Sequence, residues 1–160
     1  MKINSEGRRV FSSNKKAYYD YEILEKLEVG VILSGYEVKS VRRSSMSLVD
    51  GVVGFYKGEA FVDGVFIAPY EQISTHVVDY DARRKRKLLM HRAEINKLCA
   101  RVKEKGLTVV PLEAYISRGN VKLLVGLAKG KKSYDKREYI KNKDIAREMA
   151  KDISNYADKH

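Results

Sequence analysis

The chain contains no tryptophan, one cysteine and two prolines in 160 residues. The single cysteine, Cys99, cannot close a disulfide within the chain or found a cysteine metal cluster, so a reducing, cytoplasmic setting is expected. No stretch of about 18 apolar residues occurs, so no segment reads as a membrane-spanning helix. The opening residues, Met1-Lys-Ile-Asn-Ser-Glu-Gly-Arg-Arg9, have no apolar signal-peptide core. No histidine or carboxylate pair has HExxH or comparable spacing. His76 and His91 read as packing or hydrogen-bonding residues, His91 on the apolar face of a helix, and Cys99 beside Leu98 as a small core hydrophobe. With no nucleophile or metal constellation, the chain is not expected to be an enzyme, and no cofactor or metal is expected.

Cations, in contrast, are plentiful. The formal net charge is +11, with a sequence pI near 9.6. That balance is the electrostatic mark of a polyanion binder, although charge alone does not distinguish RNA from DNA or an anionic membrane. Hydrophobic residues make up 44%, enough for a folded core. The length suits one domain with an appendage.

The junction between the two is the stretch from Gly126 to Arg137, Gly-Leu-Ala-Lys-Gly-Lys-Lys-Ser-Tyr-Asp-Lys-Arg. It is not a P-loop. That motif needs four residues between its glycines and a Ser or Thr directly after the first lysine. Here three residues separate Gly126 from Gly130, and Lys132 comes between Lys131 and Ser133. The stretch reads as a basic hinge between a body and a tail.

Along the chain, residues 1–16 are polar and basic and read as a flexible arm. From Tyr19 the odd positions turn apolar, which is the period of a strand with one buried face, with a bend or bulge expected between Glu25 and Gly30. Gly35 to Ser44 favours a short helix. Val52–Tyr56 and Glu59–Ile67 flank Lys57-Gly58 as a hairpin. Leu88, His91, Ile95, Leu98 and Val102 recur at helical spacing, and Gly106 stops that helix. Thr108 begins strand material in which Pro111 demands an edge or a bulge. After the Ser117–Asn120 turn, Val121–Leu127 reads as the last strand. Five or six strands with one long helix between two strand sets point to a mainly β protein. The best match is a closed Greek-key barrel of the oligonucleotide-binding (OB) type with flanking helices and a flexible basic C-terminal tail, and an α/β sandwich is the alternative.

Ile145, Met149, Ile153 and Tyr156 form one modest apolar stripe at helical spacing. An isolated helix of that length is marginal in water, so the tail is expected to be disordered alone and to fold on docking. The run Arg83-Arg-Lys-Arg-Lys87 reads as five cations at a helix N-terminus, where an anionic partner would relieve their repulsion. Asn14-Lys15-Lys16 beside Tyr18, Tyr19 and Tyr21 mixes cations with aromatics, as stacking surfaces for unpaired bases do.

Several segments together resemble one family. Asn14-Lys-Lys-Ala17, Glu28 to Arg42 (Glu-Val-Gly-Val-Ile-Leu-Ser-Gly-Tyr-Glu-Val-Lys-Ser-Val-Arg), Arg86-Lys-Leu-Leu89, Glu94-Ile95 and Gly130-Lys-Lys-Ser-Tyr-Asp-Lys-Arg137 are similar to SmpB, the SsrA-binding (tmRNA-binding) protein family, in the family's order. The resemblance implies an OB barrel over residues 17–130 and a tail over 131–160 that becomes helical on the ribosome. It implies binding to the tRNA-like domain of tmRNA, help with its alanylation, delivery with elongation factor Tu to stalled ribosomes, and a tail in the empty mRNA channel near the decoding centre. It also implies RNA contacts by Asn14, Lys15, Tyr21, Glu28, Arg86, Leu88, Lys122, Lys129, Lys131 and Lys132. Tyr134, Asp135, Lys136, Arg137 and Tyr139 would serve the tail on the ribosome. A monomer with no membrane role is expected. The sequence departs from the family where Ala82 replaces a common proline and where Arg83 and Lys85 stand at frequent threonine positions. Two other classes remain open, a generic OB-fold translation protein and an RNA-acting enzyme.

Overall fold

The computed structural model describes residues 2–3, 7–70, 80–104 and 106–159, and His76 falls outside them. Ten strands and four helices are present among the described residues. The strands are β1 (Lys2–Ile3), β2 (Arg9–Ser13), β3 (Tyr21–Val31), β4 (Met46–Ser47), β5 (Val52–Tyr56), β6 (Glu59–Asp63), β7 (Phe66–Ile67), β8 (Arg86–Leu89), β9 (Leu107–Ser117) and β10 (Asn120–Gly130). The helices are α1 (Lys15–Asp20), α2 (Gly35–Arg42), α3 (Arg92–Val102) and α4 (Ser133–Lys159). Eight strands form one sheet in the order β1-β2-β9-β10-β3-β8-β6-β5, and β5 also pairs with β9 at Val53–Val109. Pairings therefore run from β9 through β10, β3, β8, β6 and β5 back to β9.

Alternation explains which residues face inward. Leu27, Val29 and Val31 of β3 and Leu123, Val125 and Leu127 of β10 join Val53, Val62, Leu88, Val109 and Ala114 in the main core. Ile95 and Leu98 of α3 are buried in that same core. A smaller cluster of Ala17, Val110, Leu112 and Ala128 lies under α1, with Tyr18, Tyr21, Ile23 and Leu124 packed against it. The bulge in the first long strand falls at Leu24, just ahead of the expected Glu25–Gly30 span, because Leu127 pairs with Glu25 while Ala128 pairs with Ile23. Pro111 also sits beside a bulge: Val125 pairs with it, but Leu124 already pairs with Glu113. A residue without a ladder donor is accommodated at such a shift. Lys57 and Gly58 both have positive φ, 49° and 73°, the geometry of a tight hairpin turn.

Three local expectations are corrected. Residues 9–13 are not a free arm, since β2 pairs with β9 and Phe11 is buried. The apolar alternation expected to begin a strand at Tyr19 starts two residues later, because Asn14 caps a helical turn first. The long helix begins at Arg92 and not before Leu88: residues 86–89 are a strand, and His91 is the exposed residue at the N-cap. The C-terminal residues form one 27-residue helix, α4.

Candidate nucleic-acid interface

Asn14 holds the start of α1. Its Oδ1 accepts from the Ala17 amide at 3.1 Å, and its Nδ2 donates to the carbonyls of Pro111 at 2.9 Å and Leu48 at 3.1 Å. With its side chain thus used and buried, Asn14 does not present an RNA contact. What it does is display its neighbours: Lys15 and Lys16 are exposed on α1, and Tyr21 is half-buried at the start of β3.

The end of β10 lies alongside. Gly130 pairs with Tyr21, Lys129 is exposed, and the Lys131 amide donates to the Asp20 carbonyl at 2.9 Å. The Lys131 ammonium donates to the Tyr18 carbonyl at 2.7 Å and lies 3.9 Å from the centre of the Tyr139 ring. Burial lowers its pKa, and the charges of Asp135, Glu22 and Asp20 oppose that shift. Tyr139 meets Tyr19 edge-on at 6.4 Å, and Lys136 reaches Asp20 at 3.6 Å and the Tyr19 ring at 5.5 Å. Lys131, Lys136 and Tyr139 thus latch the root of α4 onto α1. Asp135 accepts from the Lys132 amide at 3.3 Å, in the way an acidic third residue closes a helix start. Tyr134 is 69% exposed, and Lys132 and Arg137 are also exposed.

The other end of β3 carries a second patch. Glu28 accepts from the Tyr115 hydroxyl and pairs with Arg8 at 2.8 Å. Gly30 pairs with Lys122 on one side and with Leu89 on the other. Leu88 is 2% exposed and belongs to the core, whereas Leu89 is 56% exposed. The surface leucine of the Leu88-Leu89 pair is therefore the second one. Gly30 makes room for it, since a Cβ there would come within 3.1 Å of the Leu89 Cβ. Strand alternation would have identified Leu89, but the helical spacing of Leu88, His91 and Ile95 masked it.

The Arg83–Lys87 run resolves mostly into structure. Arg86 is fully buried: it donates to Glu37, to the Val65 carbonyl at 2.7 Å, and to the Arg84 and Ala82 carbonyls at 3.2 and 3.1 Å. It therefore offers nothing to RNA. Burial pushes the Glu37 carboxyl up, but the Ser34 amide together with Arg84 and Arg86 outweighs that and holds it below the ordinary range. Arg84 also bonds Glu37, Arg83 meets Asp50 at 3.4 Å, and Lys87 meets Glu59 at 2.9 Å. Only Lys85 of the five has no carboxylate partner among the described residues.

Lys15, Tyr21, Lys129, Lys131 and Lys132 are thus brought together at the α1–α4 junction, with Glu28, Lys122 and Leu89 at the opposite end of β3. Among the described residues no group of three metal-ligating side chains occurs, and no helix is long and apolar enough to cross a membrane. Fold and surface define a small, strongly cationic β protein with a helical extension. The profile of the SmpB protein family matches residues 11–155, and the chain belongs to that family. It is 46% identical to the SsrA-binding protein of Enterococcus hirae over 149 residues, which cover 93% of this chain and 96% of the relative. The SsrA-binding protein of Acetivibrio thermocellus is 49% identical over 144 residues, 90% of this chain and 92% of the relative. A solved chain described under "tmRNA-SmpB: a journey to the center of the bacterial ribosome" superposes with a TM-score of 0.63 at 46% identity, covering 76% of this chain and 84% of that one.

Proposed function

We propose that this chain is an RNA-binding accessory factor of trans-translation, not an enzyme. Its body grips the tRNA-like domain of tmRNA, promotes alanylation, and travels with elongation factor Tu to stalled ribosomes. The carrying observation is the surface along β3 and β10, on a chain whose relatives are SsrA-binding proteins. Glu28 and Lys122 stand toward one end of these strands beside Leu89 of β8, and Tyr21 and Lys129 stand at the other, near Lys15 of α1 and Lys132 before α4. The ten steps between the eleven residues of β3 span about 33 Å at roughly 3.3 Å each, so one strand spaces two contacts across a folded RNA. Glu28 adds acceptors that no lysine has, suited to base amino and imino groups.

The body is read as an OB-type barrel closed where β5 meets β9, and it ends near residue 130. The tail from residue 131 is the ribosomal probe. Beyond Ile140 its described side chains are exposed, so when free it exchanges between helix and coil and settles as a helix in the empty mRNA channel. Asp135, Arg137 and Tyr134 act beside the decoding centre. The chain works as a cytoplasmic monomer.

A salt-controlled titration with the tRNA-like domain of tmRNA, competed by an elongator tRNA, tests the reading. Strong preference for the tmRNA fragment is expected, with Lys122→Ala and Lys129→Ala weakening it and flattening the salt dependence. Equal affinity for both RNAs would leave a generic basic translation protein.

A further inference from the structure

Lys85 lines an open hollow of about 440 Å³ together with Val52, Gly54, Tyr56, Phe61 and Asp63. Directly opposed residues of an antiparallel pair share a face. Gly54 opposes Phe61, and Phe61 opposes Lys87 across β8. Two residues beyond Lys87, on the same face, Leu89 opposes Gly30, which in turn opposes Lys122. The hollow is therefore continuous with the surface around Lys122. Three strand spacings separate β10 from β6, roughly 15 Å in all.

The composition of the hollow is specific. Tyr56 is 66% exposed, and the Lys57 ammonium lies 5.3 Å from its ring. A Cβ added at Gly54 would meet nothing within 4 Å, so the floor between the two aromatics is open. Glu59 is already bonded by Lys87, which leaves Asp63 as the acceptor in the hollow. Flat aromatic faces, flanking cations and one carboxylate match an unpaired base that carries an exocyclic amino group.

We propose that this hollow is a further RNA subsite, taking one unpaired nucleobase against Tyr56 and Phe61 over Gly54, with the adjacent phosphate on Lys85. The proposal extends the RNA-binding reading above and rests on it. It also gives a task to Lys85, the one cation of its run that the fold does not use.

The test uses the full chain and two probes: a 2-aminopurine-labelled single-stranded RNA of about 10 nucleotides, within the usual site size, and the tRNA-like domain RNA. Gly54→Val fills the floor without a clash and Tyr56→Ala removes a stacking face, and both are expected to keep the thermal midpoint. Each should weaken single-strand binding about tenfold and abolish the fluorescence quench. Lys85→Thr should reduce the slope of log K against log salt by about 0.7. Unchanged affinity and quench in Gly54→Val and Tyr56→Ala, while Lys129→Ala still weakens the tRNA-like RNA, would overturn the subsite and leave the main grip standing. A hollow built for another protein would give that same result. If the wild-type chain binds neither RNA, the functional reading itself fails and the subsite falls with it.

Discussion

β3 and β10 are eleven residues each and α4 is 27, yet the strands are far better held. Each strand is paired on both sides over part of its length and feeds leucines and valines into the core. In α4 every described side chain from Lys141 to Ala157 is exposed. The first two turns of the helix are tied to α1 through Tyr139, Lys131 and Lys136. Charge differs in the same way. From Glu138 to Lys159 five cations (Lys141, Lys143, Arg147, Lys151, Lys159) are balanced by five carboxylates (Glu138, Asp144, Glu148, Asp152, Asp158), so the surplus of the chain lies in the body and hinge. The body is built to attract a polyanion. The distal helix carries no net charge.

The sharpest way to break the contrast is inside the body. Arg86→Met leaves the buried Glu37 without its enclosed partner and should cost about 3–5 kcal/mol in denaturant unfolding, read by tyrosine fluorescence, while α4 keeps its exchange rates. The wild-type chain carries a matching pH signature. Because the Glu37 carboxyl is held below its ordinary value of 4.5, the stability it supplies is complete above that value and lost as pH falls through the lower folded-state value. Glu37→Gln should flatten that acid limb, and an unchanged limb would assign it to other carboxylates.

At the boundary between the regions, Tyr139→Ala should release the latch by about 1 kcal/mol, the scale of one aromatic pair. Amide exchange over residues 134–140 would then rise to the rate of the distal helix, with no shift in the unfolding of the body. A body that melts earlier in this variant would mean that α4 supports the β core. The smallest effect belongs to the tail. Ile153→Ser should change unfolding by less than about 0.5 kcal/mol, and a larger loss would reveal a contact between α4 and the body.

Much of the body was legible because alternation is strict where one face is buried. The β5–β6 hairpin, the Pro111 bulge and the last strand follow from period two and turn chemistry. Misreadings came where two patterns overlapped. Leu88 lies in phase with Ile95 for a helix, and the strand Arg86–Leu89 was absorbed into that helix. Arg86 looked like surface because its partner, Glu37, lies 49 residues away, and no local rule links them. Asn14 shows the reverse. Its role as a cap is local, but its burial depends on carbonyls at Leu48 and Pro111. Whether Lys131 serves RNA or the latch could not be read from spacing, because the same ammonium meets an aromatic from the tail and a carbonyl from α1.

The pairing of β3 with β10 also sets a timetable for synthesis. Tyr21 leaves the ribosome that makes this chain more than a hundred residues ahead of its ladder partner, Gly130. The core strand must wait, unpaired on that edge, until nearly all of the body has been translated, and such distant pairing slows folding.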